Sequence, residues 1–195
     1  MSCFSEKKDS LSQWCEYAER GRGVSMGFKI SNLEQRMQSF FREELPVSPG
    51  YKKGCTKAHY PDRDELKSWL DPVLNKLDDK NYIDVAKELS ESSLLFKNPA
   101  FKEECEWRIV ATPRRNPQSK YVWEIINEEL SGSLKFRHTE KGLSSYFKLP
   151  IESCDITDIV LGPLNQSESI DVKAFLWSKL KKNIKVSRSA ATYCG

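Results

Sequence analysis

The stretch F-K-E-E-C-E-W-R-I-V-A, residues 101–111, predicts a β-strand over residues 106–111 with an acidic beginning. Successive side chains of a strand point to opposite faces, so Glu104, Glu106 and Arg108 are expected to share one face. The opposite face would carry Cys105, Trp107 and Ile109. One face of this strand is therefore polar, and the other is mostly apolar.

The residues before this stretch predict a strand, a helix, a second strand and a second helix. Apolar residues at helical spacing begin at Leu11, and Gly21 is placed to end that first helix. Alternating apolar residues over 24–30 are typical of a half-buried strand. Ser31 and Glu34 have the spacing of a capping box, which predicts that the next helix begins at Ser31.

Residues 61–96 predict a helical insertion. Pro72 follows Asp71 and suits the first turn of a helix, so a new helix is expected to begin there. Short strands are predicted over 134–137, 146–149 and 158–161, followed by a helix and a last strand over 184–187. The apolar positions of that helix are Val172, Phe175, Leu176 and Leu180.

The order of these elements predicts an α+β fold in a single domain over residues 1–195. Helices would cover a mixed or mostly antiparallel sheet. The composition, 38% hydrophobic and 30% charged, excludes collagen-like and wholly disordered chains. The apolar runs are far shorter than the ~20 residues that cross a bilayer. No leader precedes Cys3, so a cytoplasmic protein without membrane contact is expected.

Several classes of chemistry lack their motifs. There is no P-loop, Rossmann glycine fingerprint, nucleophile elbow or kinase signature in the sequence. The chain has two histidines, and its six cysteines never approach C-x-x-C spacing, so no metal site is predicted. The cysteines are instead expected to be reduced and mostly buried.

The C-terminal residues 170–195 are basic, with five lysines, one arginine and one aspartate. A basic segment of this kind can bind nucleic acid or another anion. Alternatively, Lys179, Lys181 and Lys182 lie in the last turn of a helix, where cations offset the negative end of the helix dipole and stay solvated. The sequence leaves both interpretations open.

A first candidate site lies at the start of the first helix. Ser10 and Ser12 could present hydroxyls and free backbone N–H groups to a phosphate or carboxylate, close to Trp14 and Tyr17. The alternative is an ordinary Asp or Ser helix cap, with Trp14 pointing into the core.

The acidic strand is the second candidate site. Glu104 and Glu106 suit binding of a ribose hydroxyl, stabilisation of a positively charged transition state, or polarisation of a nucleophile. Arg108 would hold the carboxylates or a phosphate. The alternative is a solvated face on which Arg108 simply pairs with Glu106, an interaction that contributes little at a surface.

Four sequence blocks occur in a characteristic order. They are C-F-S-E-x-x-D-x-L-S-Q-W-x-x-Y-A over 3–18, G-x-G-V-x-x-G-F over 21–28, F-K-x-x-x-F-K-E-E-x-E-W-R-I-V over 96–110 and I-V-L-G-P over 159–163. Together they resemble the bacterial domain-of-unknown-function family numbered 2971, across nearly the whole chain. The resemblance implies an intracellular bacterial protein, often encoded near mobile or defence genes.

More distantly, the arrangement is similar to ADP-ribosyltransferase-like folds, which bind NAD in a cleft of a split sheet. The resemblance implies that Glu106, or Glu104 beside it, is the catalytic carboxylate that binds the nicotinamide ribose and favours its oxocarbenium character. Arg108 would orient the pair or meet the pyrophosphate. The residues implied to line the NAD pocket are Ser10, Ser12, Trp14 and Tyr17.

Family members usually carry a further N-terminal segment that opens with an H-Y-T-like motif, whereas this chain begins directly at the Cys3 block. His59 and Tyr60 are followed by Pro61 and lie after the first helix and strand, so they do not fit that motif's position. The first catalytic element of the family is therefore expected to be missing.

Three functions compete at this point. The first is an NAD-dependent ADP-ribosyltransferase-like domain, acting on a protein or nucleic acid as a toxin or phage-defence effector. The second is a non-catalytic module that docks a protein or nucleic acid through the basic C-terminal helix. The third is a hydrolase that uses Glu104 and Glu106, although two carboxylates on one strand face are poorly placed to flank a scissile bond.

Overall fold

The strands form two three-stranded sheets and a separate hairpin in the computed structural model, which describes residues 1–40, 55–78, 81–110, 134–140 and 142–192. The first sheet has the order β1 (Ser2–Ser5), β4 (Glu106–Ile109), β3 (Cys55–Lys57). The second has the order β2 (Val24–Phe28), β7 (Ile156–Leu161), β8 (Lys185–Arg188). The hairpin consists of β5 (Leu134–Thr139) and β6 (Gly142–Phe147).

The predicted α+β class is confirmed, with β7 and β8 parallel and the remaining described strand pairs antiparallel. The α-helices are α1 (Leu11–Tyr17), α2 (Ile30–Phe40), α3 (Arg63–Leu74), α4 (Tyr82–Ser93) and α5 (Ser169–Leu180). Short 3₁₀ helices cover Pro99–Glu104 and Ser153–Asp155. No helix within the described ranges is both long enough and apolar enough to span a bilayer.

The predicted start of α2 at Ser31 was wrong by one residue. The helix begins at Ile30, and the Lys29 carbonyl accepts the N–H groups of Asn32 and Leu33 at 3.0 and 3.2 Å. The Lys29 N–H donates to the carbonyl of Asp155 at 3.0 Å, which turns the chain directly after β2. Ser31 therefore lies inside the first turn and does not cap the helix.

The predicted helix start at Pro72 was also wrong. Pro72 lies inside α3, which is begun by a capping box between Asp62 and Glu65. Near the end of a helix the missing N–H of proline removes one bond only. The helix still closes its last turn, since the Asn75 N–H donates to the Asp71 carbonyl at 2.9 Å.

Two hydrophobic clusters meet at Phe28. One cluster contains residues of β7, of α5, of β8 and of the position directly before β8: Ile156, Ile159, Leu161, Leu176, Ile184 and Val186. The other joins α2 to the first sheet through Leu33, Met37, Cys55 and Ile109. Phe28 packs against both clusters. Its ring contacts the ring of Phe4 in β1 edge to face, with 5.8 Å between the ring centroids. This contact connects the two sheets.

Helix α5 packs through a narrower apolar stripe than the sequence predicts. Val172, Leu176 and Leu180, spaced four residues apart, face the core. Phe175 was predicted on the same face but is exposed, as is Trp177. Both lie about 100° from Leu176 around the helix, so the sheet covers neither of them.

The prediction that the cysteines are mostly buried was wrong. Cys55 is buried, Cys15 and Cys105 are half-buried, and Cys3 and Cys154 are exposed. These five cysteines are free thiols, and Cys194 lies outside the described residues.

Leu161→Ala should destabilise the protein, because this side chain is 0% exposed on the central strand of its sheet. The lost burial and the resulting cavity are expected to reduce the free energy of unfolding by about 3 kcal/mol, measured by urea unfolding. Leu143→Ala in β6, at a leucine that is 74% exposed, is the matched control. It should change the free energy of unfolding by less than about 0.5 kcal/mol. Equal effects of the two variants would contradict this assignment of the core.

Candidate functional site

A cavity of about 940 Å³ is lined by strands of both sheets and by α1. Its walls include the outer strands β1 and β2 of the two sheets, together with Glu106 and Arg108 of β4. A volume of this size lies in the range of small-molecule and cofactor sites. The cavity is therefore a candidate ligand site.

Glu106 and Arg108 form an ion pair on the cavity wall. The Arg108 Nε donates to Glu106 Oε1 at 3.0 Å, and Nη2 donates to Oε2 at 3.2 Å. The two side chains are only 8% and 5% exposed, for Arg108 and Glu106 respectively, on a strand that lies between β1 and β3. The pairing predicted for these residues is present, but the solvated face predicted as its alternative setting was wrong.

Lys97 connects the two candidate carboxylates. Its Nζ donates to Glu104 Oε2 at 2.6 Å and lies 2.8 Å from Glu106 Oε2. Glu104 ends the 3₁₀ helix instead of lying on the strand, and Cys105 after it has a left-handed backbone with φ of +46°. The predicted common strand face of Glu104 and Glu106 was therefore wrong, and Lys97 is the group that brings the two carboxylates together.

The surrounding groups set the protonation of this cluster. Burial opposes ionisation of Glu106, but hydrogen bonds from Arg108, Cys3 and Lys97 outweigh it and lower the Glu106 pKa from 4.5 to about 2. Although Cys3 is exposed as a whole residue, partial burial of its thiol and the nearby Glu106 carboxylate raise the pKa of that thiol to about 11, so it stays protonated. The Lys97 pKa is raised because its hydrogen bonds to Glu104 and Glu106 outweigh its burial.

Backbone groups complete the cluster. The Glu106 N–H donates to the Tyr60 hydroxyl oxygen at 2.8 Å, and Arg108 Nη1 donates to the carbonyls of Leu94 and Phe96. Two carboxylates and two cations balance in charge, and Glu106 is a weak base in this setting. Such a carboxylate suits stabilisation of positive charge better than removal of a proton.

Helix α1 and the residue before it carry the other group of predicted site residues. Ser10, Trp14 and Tyr17 line the same cavity as Glu104, Glu106 and Arg108, whereas Ser12 is not among the lining residues. The Ser10 hydroxyl lies 3.1 Å from that of Ser12 and makes no side-chain cap to the helix. Ser10 therefore occupies the N-cap position, as the alternative interpretation predicted, but its hydroxyl contacts Ser12 instead of capping the helix N–H groups.

Trp14 is buried, whereas Tyr17 is 70% exposed. The Trp14 Nε1 donates to Asp9 Oδ1 at 2.7 Å, and Asp9 also accepts from the Ser189 hydroxyl and the Ala190 N–H. Burial opposes ionisation of Asp9, yet these hydrogen bonds lower its pKa. Asp9 thus connects the start of α1 to the residues after β8.

Sequence reasoning missed Lys97 as a residue of this region and considered an aspartate at the start of α1 only as a helix cap. Both lie in the quoted sequence blocks, Lys97 directly after Phe96 and Asp9 five residues before Trp14. Glu104, the partner of Lys97, lies seven residues further along the chain at the end of the 3₁₀ helix, whereas Ser189, a partner of Asp9, lies 180 residues away. In the part of the chain that the structure describes, no three His, Cys, Asp or Glu side chains are grouped to hold a metal ion.

The three lysines at the end of α5 differ in setting. Lys182 Nζ donates to the carbonyls of Ser153 and Ile156 at 2.9 and 2.8 Å, so it connects the helix end to β7. Lys179 and Lys181 are exposed. These two are the ones available to a partner.

Residues 13–109 match the model of a family described as "Protein of unknown function (DUF2971)". The match supports the resemblance to that family, and it includes Trp14, Tyr17, Glu104, Glu106 and Arg108. Neither the curated proteins nor the solved structures contain a match to the chain.

Glu106→Gln should destabilise the protein, because it leaves Arg108 and Lys97 without their shared buried counter-charge. The expected loss at pH 7 is about 3 kcal/mol of unfolding free energy, measured by urea unfolding. Glu103→Gln, at an exposed glutamate of the same acidic run, is the control. It should change the free energy of unfolding little.

The same variant tests the lowered pKa. A depressed carboxylate pKa contributes stability above pH 4.5, and this contribution is lost as the pH falls toward about 2. The difference in stability between the parent and Glu106→Gln should therefore shrink from pH 7 to pH 3. A difference that stays constant over this range would contradict an ionised Glu106 in the folded state.

Proposed function

We propose that this protein, which matches a family of unknown function over residues 13–109, is an ADP-ribosyltransferase-like domain that binds NAD in the cavity. The observation that carries the proposal is that Ser10, Trp14 and Tyr17 share one cavity with Glu106 and Arg108. These groups are about 90 residues apart in the chain, and the fold brings them to one place. A bacterial cytoplasmic toxin or phage-defence effector is the role that goes with this proposal.

Glu106 is the proposed catalytic residue. Breaking the bond between nicotinamide and ribose leaves the electron pair on nicotinamide and positive charge on the ribose. An ionised carboxylate close to the ribose stabilises that charge as it develops, and a nucleophile on the acceptor then forms the new bond to ribose and loses its proton. The low pKa of Glu106 keeps it ionised throughout.

The other residues bind and position. Lys97 and Arg108 hold the Glu106 carboxylate from two sides, and a shift of either cation toward the ligand phosphates would leave more of the carboxylate charge for the ribose. Tyr17 presents an exposed ring at the cavity, suited to stacking on an aromatic base. The Ser10 hydroxyl supplies a hydrogen bond to a ligand oxygen.

A second candidate function is a binding module without catalysis. One observation favours it directly: both Glu106 oxygens already contact cations of the protein. The surface of α5 offers a docking region, since Lys179 and Lys181 are exposed and Phe175 and Trp177 lie on the same helix. Cations combined with exposed aromatic rings suit binding of single-stranded nucleic acid.

Millimolar NAD should raise the melting temperature of the parent protein, since a ligand that binds only the folded state stabilises it. The parent should also release nicotinamide from NAD, measured by chromatography. Glu106→Gln should lose at least about 99% of the release, as expected for removal of an electrostatic catalytic group. Circular dichroism at the assay temperature shows whether that variant is folded.

Two further variants separate binding from chemistry. Tyr17→Ala should weaken NAD binding about fivefold and leave stability unchanged, because the ring is mostly exposed and stacks only on the ligand. Glu103→Gln should match the parent in both assays. NAD binding without nicotinamide release in the parent would favour the non-catalytic module, and no binding at millimolar NAD would overturn the proposal.

For the second function, Lys179→Glu combined with Lys181→Glu should weaken retention of single-stranded nucleic acid and lower its salt dependence, because each lost phosphate contact reduces counterion release. Lys182 is left in place because it holds β7. The control is a double variant in which two exposed lysines elsewhere, Lys29 and Lys67, are replaced by glutamate. Its net charge equals that of the Lys179→Glu, Lys181→Glu variant. Equal retention by both double variants would show that Lys179 and Lys181 form only a solvated helix end.

A further inference from the structure

The pairing of β2 with β7 contains a β-bulge at the cavity. Met26 pairs with Ile159 and Phe28 pairs with Ile156, so two residues of β7, Thr157 and Asp158, lie opposite Gly27 alone. All three line the cavity. Bulges redirect side chains and are frequent next to active sites. This bulge gives the second sheet a carboxylate in the cavity that also contains Glu106.

Gly27 makes this arrangement possible. A Cβ atom at residue 27 would lie 2.4 Å from Asp158 Oδ1 and 2.5 Å from Thr157 Oγ1. Any side chain there would therefore displace the Asp158 carboxylate. In the V-x-x-G-F block the glycine is residue 27, the position of β2 that the Asp158 carboxylate approaches.

Asp158 has the loosest ion pair among the carboxylates that line the cavity. The paired cations of the other three lie much closer: Glu6 to Lys57 at 2.6 Å, Glu104 to Lys97 at 2.6 Å, Glu106 to Lys97 at 2.8 Å. The distance from Asp158 Oδ2 to Lys8 Nζ is 3.6 Å. Lys8 is mostly exposed, and an ion pair of this kind contributes little. Asp158 can therefore exchange Lys8 for a ligand group at small cost.

Thr157 fixes one side of the carboxylate, because its hydroxyl donates to Asp158 Oδ1 at 2.8 Å. Oδ2 and the remaining lone pair of Oδ1 can accept hydrogen bonds, and a carboxylate selects ligands that present hydroxyl or amino donors. Lys8, beside it on the segment between β1 and α1, is a cation suited to a neighbouring phosphate. Hydroxyls next to phosphate are the chemistry of a nucleotide ribose.

We propose that Asp158 is a ligand-binding residue that accepts hydrogen bonds from ribose hydroxyls of a nucleotide in the cavity, with Gly27 as the residue that positions it. The inference rests on the proposed binding of NAD and adds a specificity determinant in the second sheet. Lys8 leaves Asp158 for the ligand phosphate when the nucleotide binds.

The test measures dissociation constants by calorimetry for NAD, for ADP-ribose and for two NAD analogues, each lacking the 2′-hydroxyl of one ribose. Asp158→Asn should weaken binding of NAD and ADP-ribose about tenfold, as expected for loss of a charge-assisted hydrogen bond. The parent should discriminate against at least one deoxy analogue, and Asp158→Asn should lose that discrimination. Asp171→Asn, at an exposed aspartate of α5, is the control and should match the parent.

Gly27→Ala is the second variant, since it displaces the carboxylate without removing it. It should reduce the discrimination between NAD and the deoxy analogue even where its melting temperature stays near that of the parent. Unchanged affinity and unchanged discrimination in Asp158→Asn would overturn the inference while leaving NAD binding intact.

The two proposals fail separately. If ADP-ribose binds the parent and binds Asp158→Asn more weakly, the inference is supported. This holds even if the parent releases no nicotinamide and the proposed catalysis fails. If the parent binds neither NAD nor ADP-ribose at millimolar concentration, both proposals are overturned.

Discussion

The buried pairing of Glu106 with Arg108 and Lys97 is the interaction on which the candidate site depends. A buried carboxylate is costly unless cations and hydrogen bonds compensate it, and here two cations and a thiol do so. Arg108 also donates to the carbonyls of Leu94 and Phe96, so the cluster joins the end of the helical insertion to β4. The same contacts hold an ionised carboxylate at the wall of a cavity.

The cavity itself follows from how the two sheets meet. Phe4 of β1 and Phe28 of β2 touch edge to face, and Phe28 packs on both hydrophobic clusters. The outer strands of the two sheets are thereby placed side by side without pairing, and the space between them is open to a ligand. One wall carries Glu106 and Arg108, and the other carries Asp158 above Gly27. Ligand sites commonly combine apolar packing with a few polar groups that orient the ligand.

Local patterns predicted most elements well, and their failures have local physical causes. The helical spacing from Leu11 corresponds to α1, and the alternation over 24–30 contains β2, although β2 ends at Phe28 and Val24 and Met26 of its predicted apolar face are exposed. Ser31 failed as a cap because the Lys29 N–H bonds the distant Asp155 carbonyl, and Pro72 was accommodated near the end of α3. Phe175 remained exposed because α5 meets the sheet along one narrow stripe. Each difference comes from a partner that is remote in sequence.

The sequence by itself determined the α+β class, the polar character of the strand at Glu106 and Arg108, and the choice of Ser10, Trp14 and Tyr17 as candidates, because periodicity and residue type are local properties. Only the tertiary structure decided that these groups line one cavity, that Lys97 joins Glu104 to Glu106, and that a bulge opposite Gly27 turns Asp158 inward. Strand order and register bring together cavity residues as far apart in the chain as Met1 and Asp158, and no local pattern encodes such separations.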